Sequence, residues 1–319
     1  MATPIDLYLL LGESNAAGYG RSELLPEALG QPHPSATLWW ADLEGQTARP
    51  HGPTPRTWQP LTPGAGALDA TFGPELSLAH TLAARSQNPI AIIKATRHDA
   101  SLFAHWRPEL RAVTTTLAAH ALDAANRATR QLQQQGAEPR PAGVIFFQGP
   151  ADTRDANPEP ALHAKRLGDL LGRLRLDWAR NPDLPAAVLH RSPRDHHPAP
   201  HAQHVKHAAA ELAQQANAVA WIDLDDLHAT DGLRLDAPST LAAGDRAAYA
   251  LLGLQAHFNP KPLHAEPQQT PDAIQEAAPE PQHDEASSPN EAPEASPTPA
   301  SIAEATVDTP EKDSNSQEI

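Results

Sequence analysis

The sequence opens with a short apolar run that ends in a glycine and a serine. Leu7–Leu11 is followed directly by Gly12, Glu13 and Ser14. The run is too short for a helix of ordinary length, and an uninterrupted apolar run is typical of a parallel strand buried on both faces. Ligands bind at the carboxyl ends of the strands in open α/β sheets, so Ser14 falls where a site is expected. The simpler alternative is that Ser14 caps the next helix.

Five further short runs rich in β-branched or aromatic residues alternate with helical stretches. They predict strands at 36–40, 90–94, 143–147, 186–190 and 219–223. The intervening stretches predict helices at 74–85, 109–135, 160–180, 201–215 and 239–255, with Gly136 ending the second helix. This alternation indicates an α/β protein of three layers, αβα, with a mostly parallel sheet.

A long stretch rich in proline and glycine, 45–73, interrupts this alternation. Loops of this length inside a compact domain are usually functional or disordered. We expect this loop to pass over the carboxyl edge of the sheet and to select the substrate.

The composition of the chain changes near residue 259. Residues 259–319 contain no aromatic residue, 11 of the 34 prolines, and 13 acidic residues against two lysines. Such a segment buries too little apolar surface to offset its ordering entropy. We therefore expect a folded domain at 1–258 and a disordered acidic tail at 259–319, to which a protein partner could bind.

Charge and cysteine content exclude several classes of function. Without the tail the formal net charge is −4, which argues against a nucleic-acid or membrane partner. The chain has no cysteine, so it forms no disulfide and no thiolate site. It shows neither a signal-peptide pattern nor an apolar run near the ~20 residues of a membrane span, and we expect a cytoplasmic protein.

Five blocks of sequence resemble the SGNH hydrolases of the sialate O-acetylesterase and acetylxylan esterase type. Gly12-Glu13-Ser14-Asn15 is similar to the Gly-Gln-Ser-Asn block of that family. The other blocks follow in the family's order: Phe72-Gly73-Pro74-Glu75, Ile93-Lys94 with Ser101-Leu102 and Trp106, Gln148-Gly149 with Asp152, and Asp231-Gly232 continuing to Ala237. The resemblance implies a flavodoxin-like SGNH hydrolase fold with a mostly parallel five-stranded sheet.

The resemblance also implies a serine esterase that removes O-acetyl groups from sugars and needs no cofactor. Ser14 would be the nucleophile, the residue at position 234 its base, and Asp231 the partner that orients the base. The oxyanion hole would be formed by the Ser14 amide, a backbone amide of the His98-Asp99 pair and the Gln148 side chain. The pocket beside Ser14 would include Glu13, Asn15 and His228.

The departures from the family pattern affect residues expected to take part in catalysis rather than residues that form the fold. Arg234 stands where a histidine base is expected, and arginine stays protonated, so it cannot accept the serine proton. His98 and Asp99 replace a Gly-Gly pair and lack the backbone freedom of glycine. Glu13 replaces a glutamine, and Pro150 replaces a glutamate.

These departures favour a descendant of carbohydrate O-acetylesterases whose activity is lost or strongly reduced, a pseudoenzyme that keeps its pocket. Two alternatives remain open. The first is an active esterase in which His98 or His228 serves as a substitute base, although each could equally be a solvated loop histidine. The second is a non-catalytic carbohydrate-binding or interaction protein.

Histidines are concentrated between residues 190 and 207: His190, His196, His197, His201, His204 and His207. The last three, spaced by three residues, could line one helix face and ligate a metal. The nearest carboxylate at helical spacing is Glu211, outside such a ligand set. We therefore favour a solvated helix face and predict no metal site.

Overall fold

The computed structural model of the chain describes residues 2–43, 52–155, 160–194 and 197–258. These residues form a central sheet with helices on both faces, so the predicted αβα fold is confirmed. The predicted acidic tail, part of the predicted 45–73 loop, and His196 lie outside the described residues.

Seven strands make one sheet, so the prediction of a five-stranded sheet is wrong. The strands of the chain are β1 (Thr3–Gly12), β2 (Gly20–Arg21), β3 (Ala36–Trp40), β4 (Trp58–Pro60), β5 (Thr71–Phe72), β6 (Ile90–Thr96), β7 (Ala137–Gln148), β8 (Ala186–His190) and β9 (Val219–Asp223). The main sheet has the order β4-β3-β6-β1-β7-β8-β9, with β4 antiparallel to β3 and every other pairing parallel. All six runs that predict strands are present, and β4 is an added edge strand too short to carry a hydrophobic pattern. Strands β2 and β5 pair separately.

The helices lie close to their predicted positions. They are α1 (Ser14–Ala17), α2 (Glu75–Ala83), α3 (Leu117–Gln134), α4 (Pro150–Asp155), α5 (Pro160–Arg173), α6 (Ala202–Gln215) and α7 (Ala237–Phe258), with π-helical turns at Leu102–Trp106 and Leu174–Ala179. Helix α3 begins eight residues later than predicted because the Thr116 hydroxyl caps it, accepting from the Ala119 N–H at 3.2 Å. It ends at Gln134, and the chain leaves it through Gly136, the predicted terminating residue, whose φ is +84°. None of the described helices has the length and apolarity needed to cross a membrane.

Strand β1 lies at the centre of the sheet and is buried on both sides. Leu7, Leu9 and Leu11 pack with α3, α5 and α6, whereas Tyr8 and Leu10 pack with α2 and α7. Burial on both faces explains the uninterrupted apolar run. At its end Gly12 has φ +133°, and a Cβ atom there would lie 2.4 Å from the Phe147 carbonyl oxygen. The sequence therefore requires glycine immediately before the segment that carries Ser14.

A buried ion pair fixes the far end of α1. Lys94 Nζ lies 2.7 Å from Glu75 Oε2, and both side chains are fully buried. Lys94 also donates to the carbonyl oxygens of Ala17 at 2.8 Å and Ala65 at 2.6 Å, and Glu75 accepts the Gly73 N–H at 2.9 Å. These hydrogen bonds satisfy both buried charges. Two of the family-like blocks thus act as scaffold, since they hold the helix that begins at Ser14.

Candidate active site

Ser14 is the first residue of α1, at the carboxyl end of the central strand. The residue preceding the helix is Glu13, and no side chain caps this helix, so the capping alternative for Ser14 is wrong. The Ser14 hydroxyl oxygen instead lies 3.0 Å from His98 Nδ1 and 3.5 Å from Glu13 Oε2. Ser14 itself is 6% exposed. The serine is thus placed at a site edge with an imidazole and a carboxyl group beside it.

His98 is exposed and lies in the loop that follows β6. Its Nδ1 atom contacts two hydroxyl groups, Ser14 Oγ at 3.0 Å and Tyr19 Oη at 2.8 Å. The Tyr19 and His98 rings also meet edge to face, with centroids 6.1 Å apart. With its proton on Nε2, the ring can accept a hydrogen bond at Nδ1 from a hydroxyl. The structure therefore brings this substitute-base candidate within hydrogen-bond distance of Ser14.

Asp99 adopts a left-handed backbone conformation, which glycine adopts readily. Its φ is +52°, in the left-handed region that aspartate tolerates better than most L-residues. Its carboxylate pairs with Arg154, Oδ1 to Nη2 at 2.9 Å. The negative charge of Asp99 is therefore partly compensated by a neighbouring cation.

Asp231 and Arg234 belong to one turn, which the Asp231 carboxylate holds closed. Asp231 Oδ1 accepts the N–H groups of Leu233 at 3.0 Å and Arg234 at 2.7 Å, and its Oδ2 lies 3.2 Å from Arg234 Nη1. Burial opposes ionisation of Asp231, but these N–H groups and the Arg234 charge outweigh it and lower the pKa of the carboxyl group. The Arg234 guanidinium stacks on Tyr19, 4.6 Å from the ring centroid. Arg234 thus contacts the tyrosine that contacts His98.

Asn15 ties α1 to this turn. Its Nδ2 donates to the Leu233 carbonyl oxygen at 3.1 Å, and its Oδ1 accepts the Leu235 N–H at 3.0 Å. The side chain is buried. The structure therefore gives this predicted pocket residue a role in joining the start of α1 to the backbone at Leu233 and Leu235.

His228, the other substitute-base candidate, makes different contacts. Its Nδ1 lies 2.8 Å from Asp236 Oδ2, and its side chain is 73% exposed. Among the described side chains, Glu13 and His98 hydrogen-bond the Ser14 hydroxyl, and His228 is not one of them.

Gln148 is fully buried and has a partner that sequence reasoning missed. Its Nε2 lies 2.6 Å from Nε2 of His163. Burial, aided by the charge of Arg166, lowers the pKa of His163 to about 4, so the neutral ring can accept one amide proton. The Oε1 atom of Gln148 is buried and has no hydrogen-bond partner among the described residues. His163 is a single histidine in helix α5, and no local pattern marks it.

Glu13 is a buried acid beside the serine. It is 1% exposed, and its Oε1 accepts the Ala151 N–H at 2.9 Å. Gly149 leaves the space for this contact, since a Cβ atom there would lie 2.0 Å from the same oxygen. Burial, reinforced by the charge of Asp152, raises the pKa of Glu13 to about 8. Glu13 thus contacts the residues on either side of Pro150, the position at which the expected glutamate is missing.

The described histidines between residues 190 and 207 lie in different environments. His204 and His207 are exposed on α6, and the His204 ring stacks on that of His201 with centroids 5.9 Å apart. His190 is buried, and burial lowers its pKa to about 4. Within the described ranges, no group of three histidine or acidic side chains is arranged to hold a metal ion.

Comparisons with known proteins agree with the geometry of the fold. The sequence model of the family described as carbohydrate esterase, sialic acid-specific acetylesterase, matches residues 4–253. No curated protein matches the chain.

Three solved structures have a similar fold. A protein from Arabidopsis thaliana is 17% identical with a TM-score of 0.59, over 78% of this chain and 98% of that one. NanS is also 17% identical with a TM-score of 0.59, over 81% of this chain and all of its own. XAC1771, a carbohydrate acetylesterase from Xanthomonas citri, is 15% identical with a TM-score of 0.53, over 79% of this chain and 56% of its own. At these identities the likeness concerns the fold alone.

Proposed function

This chain belongs to the sialic acid-specific acetylesterase family of carbohydrate esterases, and we propose that it hydrolyses acetyl esters of carbohydrates with Ser14 as nucleophile and His98 as base. The observation that carries the proposal is the 3.0 Å distance between Ser14 Oγ and His98 Nδ1. A general base must lie within such a distance of the proton that it removes. Arg234 at the usual base position therefore does not by itself imply loss of activity.

The proposed reaction begins with His98 protonated at Nε2 and unprotonated at Nδ1. Ser14 Oγ attacks the carbonyl carbon of the acetyl group while its proton passes to His98 Nδ1. The resulting imidazolium gives this proton to the sugar oxygen as the bond between that oxygen and the carbonyl carbon breaks. The products of this half-reaction are the free sugar hydroxyl and acetyl-Ser14.

Water completes the cycle. His98 Nδ1 accepts a proton from a water molecule as the water oxygen attacks the acetyl carbon of acetyl-Ser14. The same proton then returns to Ser14 Oγ as acetic acid leaves, and the acid ionises to acetate in solution. The exposure of His98 supports this step, because water can reach the imidazole directly.

The developing oxyanion requires donors near the attacked carbonyl group. The backbone N–H of Ser14 stands at the start of α1, where the first N–H groups have no acceptor within their own helix. The turn at His98 and Asp99 keeps a left-handed residue, and Arg154 offsets the Asp99 charge. These features support an oxyanion hole assembled from Ser14, the turn and Gln148, as the family resemblance implies.

The competing candidate is a carbohydrate-binding protein that has lost hydrolysis. Arg234 favours it, because a guanidinium cannot serve as the base and Tyr19 shares His98 Nδ1 with the serine. Both candidates use the same pocket, so binding of an acetylated sugar does not distinguish them, whereas its hydrolysis does.

The test is hydrolysis of p-nitrophenyl acetate and release of acetate from an O-acetylated sialic acid. We expect Ser14→Ala to lower kcat/KM by about a thousandfold, because the covalent route is removed. Ser86→Ala is the matched control, since this serine hydrogen-bonds Asp6 at the amino end of β1, and it should retain the parent rate. A parent that is no faster than Ser14→Ala would overturn the proposal and favour the binding protein.

A further inference from the structure

We infer that Glu13 is a further catalytic residue that works in its protonated form, donating a hydrogen bond to Ser14 Oγ, and that its ionisation switches the site off. This inference rests on the proposed function. During deacylation Ser14 Oγ is the leaving oxygen, and a neighbouring O–H donor stabilises the negative charge that develops there. A carboxylate in the same place would oppose that charge and would attract the serine proton away from His98.

The contacts of Glu13 suit a neutral acid. Oε1 accepts the Ala151 N–H at 2.9 Å, which leaves Oε2, 3.5 Å from Ser14 Oγ, as the oxygen to carry the proton. Among the described residues no lysine or arginine forms an ion pair with Glu13. A buried carboxylate held only by neutral groups is unfavourable, so the group keeps its proton.

The charges that face Glu13 come from two neighbouring elements. Helix α4 contributes the buried Asp152, whose Oδ1 accepts the Leu102 N–H at 2.7 Å, and also the exposed Arg154. The loop after β6 contributes Asp99 and, across Ser14, His98. Asp152 and Asp99 favour the protonated acid, whereas Arg154 opposes it but is paired with Asp99. Burial and Asp152 dominate this balance.

The expected residue at this position explains why the acid is tolerated. The resembled family has glutamine here, a neutral side chain with a carbonyl oxygen and an N–H donor. A protonated glutamate has the same shape, an acceptor at one oxygen and an O–H donor at the other. The chain therefore keeps a neutral donor beside Ser14 near pH 7, but in a form that a rise in pH can remove.

The test compares Glu13→Gln with the parent between pH 6 and pH 10, with the Ser14→Ala rate subtracted. We expect kcat/KM of the parent to fall at least tenfold above pH 8. Glu13→Gln should be two- to fivefold slower at pH 7, because an amide is a weaker donor, and should show no such fall. The control Glu138→Gln changes an exposed acid on β7 and should keep the parent profile.

Two results would overturn the inference. If kcat/KM of Glu13→Gln falls above pH 8 as that of the parent does, a group other than Glu13 causes the loss of activity. If the parent becomes faster with rising pH and Glu13→Gln is inactive throughout, the carboxylate is itself the base.

A second readout does not depend on turnover. The pKa of Glu13 is about 8 in the folded chain against 4.5 for an ordinary glutamate, so the unfolded chain releases its proton first as pH rises. The parent therefore loses stability relative to Glu13→Gln between these two values. The gap between their melting temperatures should widen from pH 5 to pH 8 and then stay constant. A constant gap would overturn the inference alone, whereas equal rates of the parent and Ser14→Ala would overturn the proposed function.

Discussion

Two loops contact the start of α1, one at Ser14 and one at Asn15, and they depart from the family pattern in different ways. The loop at 231–236 keeps the aspartate that normally orients a base and is clamped by Asn15, but the side chain at the base position is Arg234. The loop at 97–101 has lost its glycine pair, yet it keeps a left-handed turn at Asp99 and holds His98 at hydrogen-bond distance from Ser14.

The difference suggests that the base of the proposed reaction lies in a different loop from the usual one while the scaffold stays the same. Tyr19 connects the two loops, since its ring carries the Arg234 guanidinium and its hydroxyl contacts His98. The arginine that replaces the expected base thus contacts the tyrosine whose hydroxyl contacts the imidazole of the other loop. Substitutions in each loop and at Tyr19 test whether the base has moved from one loop to the other.

The largest effect is expected for His98→Gln. Glutamine keeps polar atoms in the loop but cannot accept and return the serine proton, so kcat/KM should fall by about a thousandfold, within the usual range for loss of a general base. The measurement is p-nitrophenyl acetate hydrolysis at pH 7. His228→Gln is the matched change beside the other loop and should stay within twofold of the parent. The reverse order of effects would place the base beside the Arg234 loop and break the comparison.

The sequence predicted the part of the site that local patterns determine. The buried run at 7–11, the glycine that ends it and the family-like blocks located Ser14, and alternating strands and helices predicted the layers. The pairing of Ser14 with His98 joins residues 84 positions apart and depends on the left-handed turn at Asp99. Such a contact follows from tertiary packing, which cannot be predicted from the local spacing of apolar residues.

The same reason explains the other omissions. The contact of Glu13 with Ala151 spans 138 positions and needs the gap above Gly149. The hydrogen bond between Gln148 and His163 depends on how α5 packs against the sheet. Strand β4 has three residues, and its pairing with β3 decides its conformation. These features became visible only when distant segments were brought together.

A smaller effect is expected for Tyr19→Phe. The ring and its contacts with His98 and Arg234 remain, but the hydroxyl that shares the Nδ1 lone pair with Ser14 is removed. In the proposed reaction this tyrosine stabilises the resting site more than the transition state, so kcat should rise by about threefold. Steady-state kinetics at pH 7 measure the change. A tenfold fall would instead show that the hydroxyl holds the imidazole in position.

An effect of similar size, but in the opposite direction, is expected for Arg234→Met, which keeps a long side chain over Tyr19 but removes the positive charge. Stacking of an exposed guanidinium on an aromatic ring contributes about 0.5–1 kcal/mol, so kcat/KM should fall by about two- to fivefold through a less restrained Tyr19. Arg246→Met removes an arginine that pairs with Asp226 and serves as the control, with no expected change in rate. The double variant Arg234→Met/Tyr19→Phe tests whether Arg234 acts through Tyr19. The arginine should matter less once the Tyr19 hydroxyl that contacts His98 is removed. A hundredfold loss in Arg234→Met would show that the guanidinium takes part in the chemistry, and the two loops would then share the reaction rather than exchange its base.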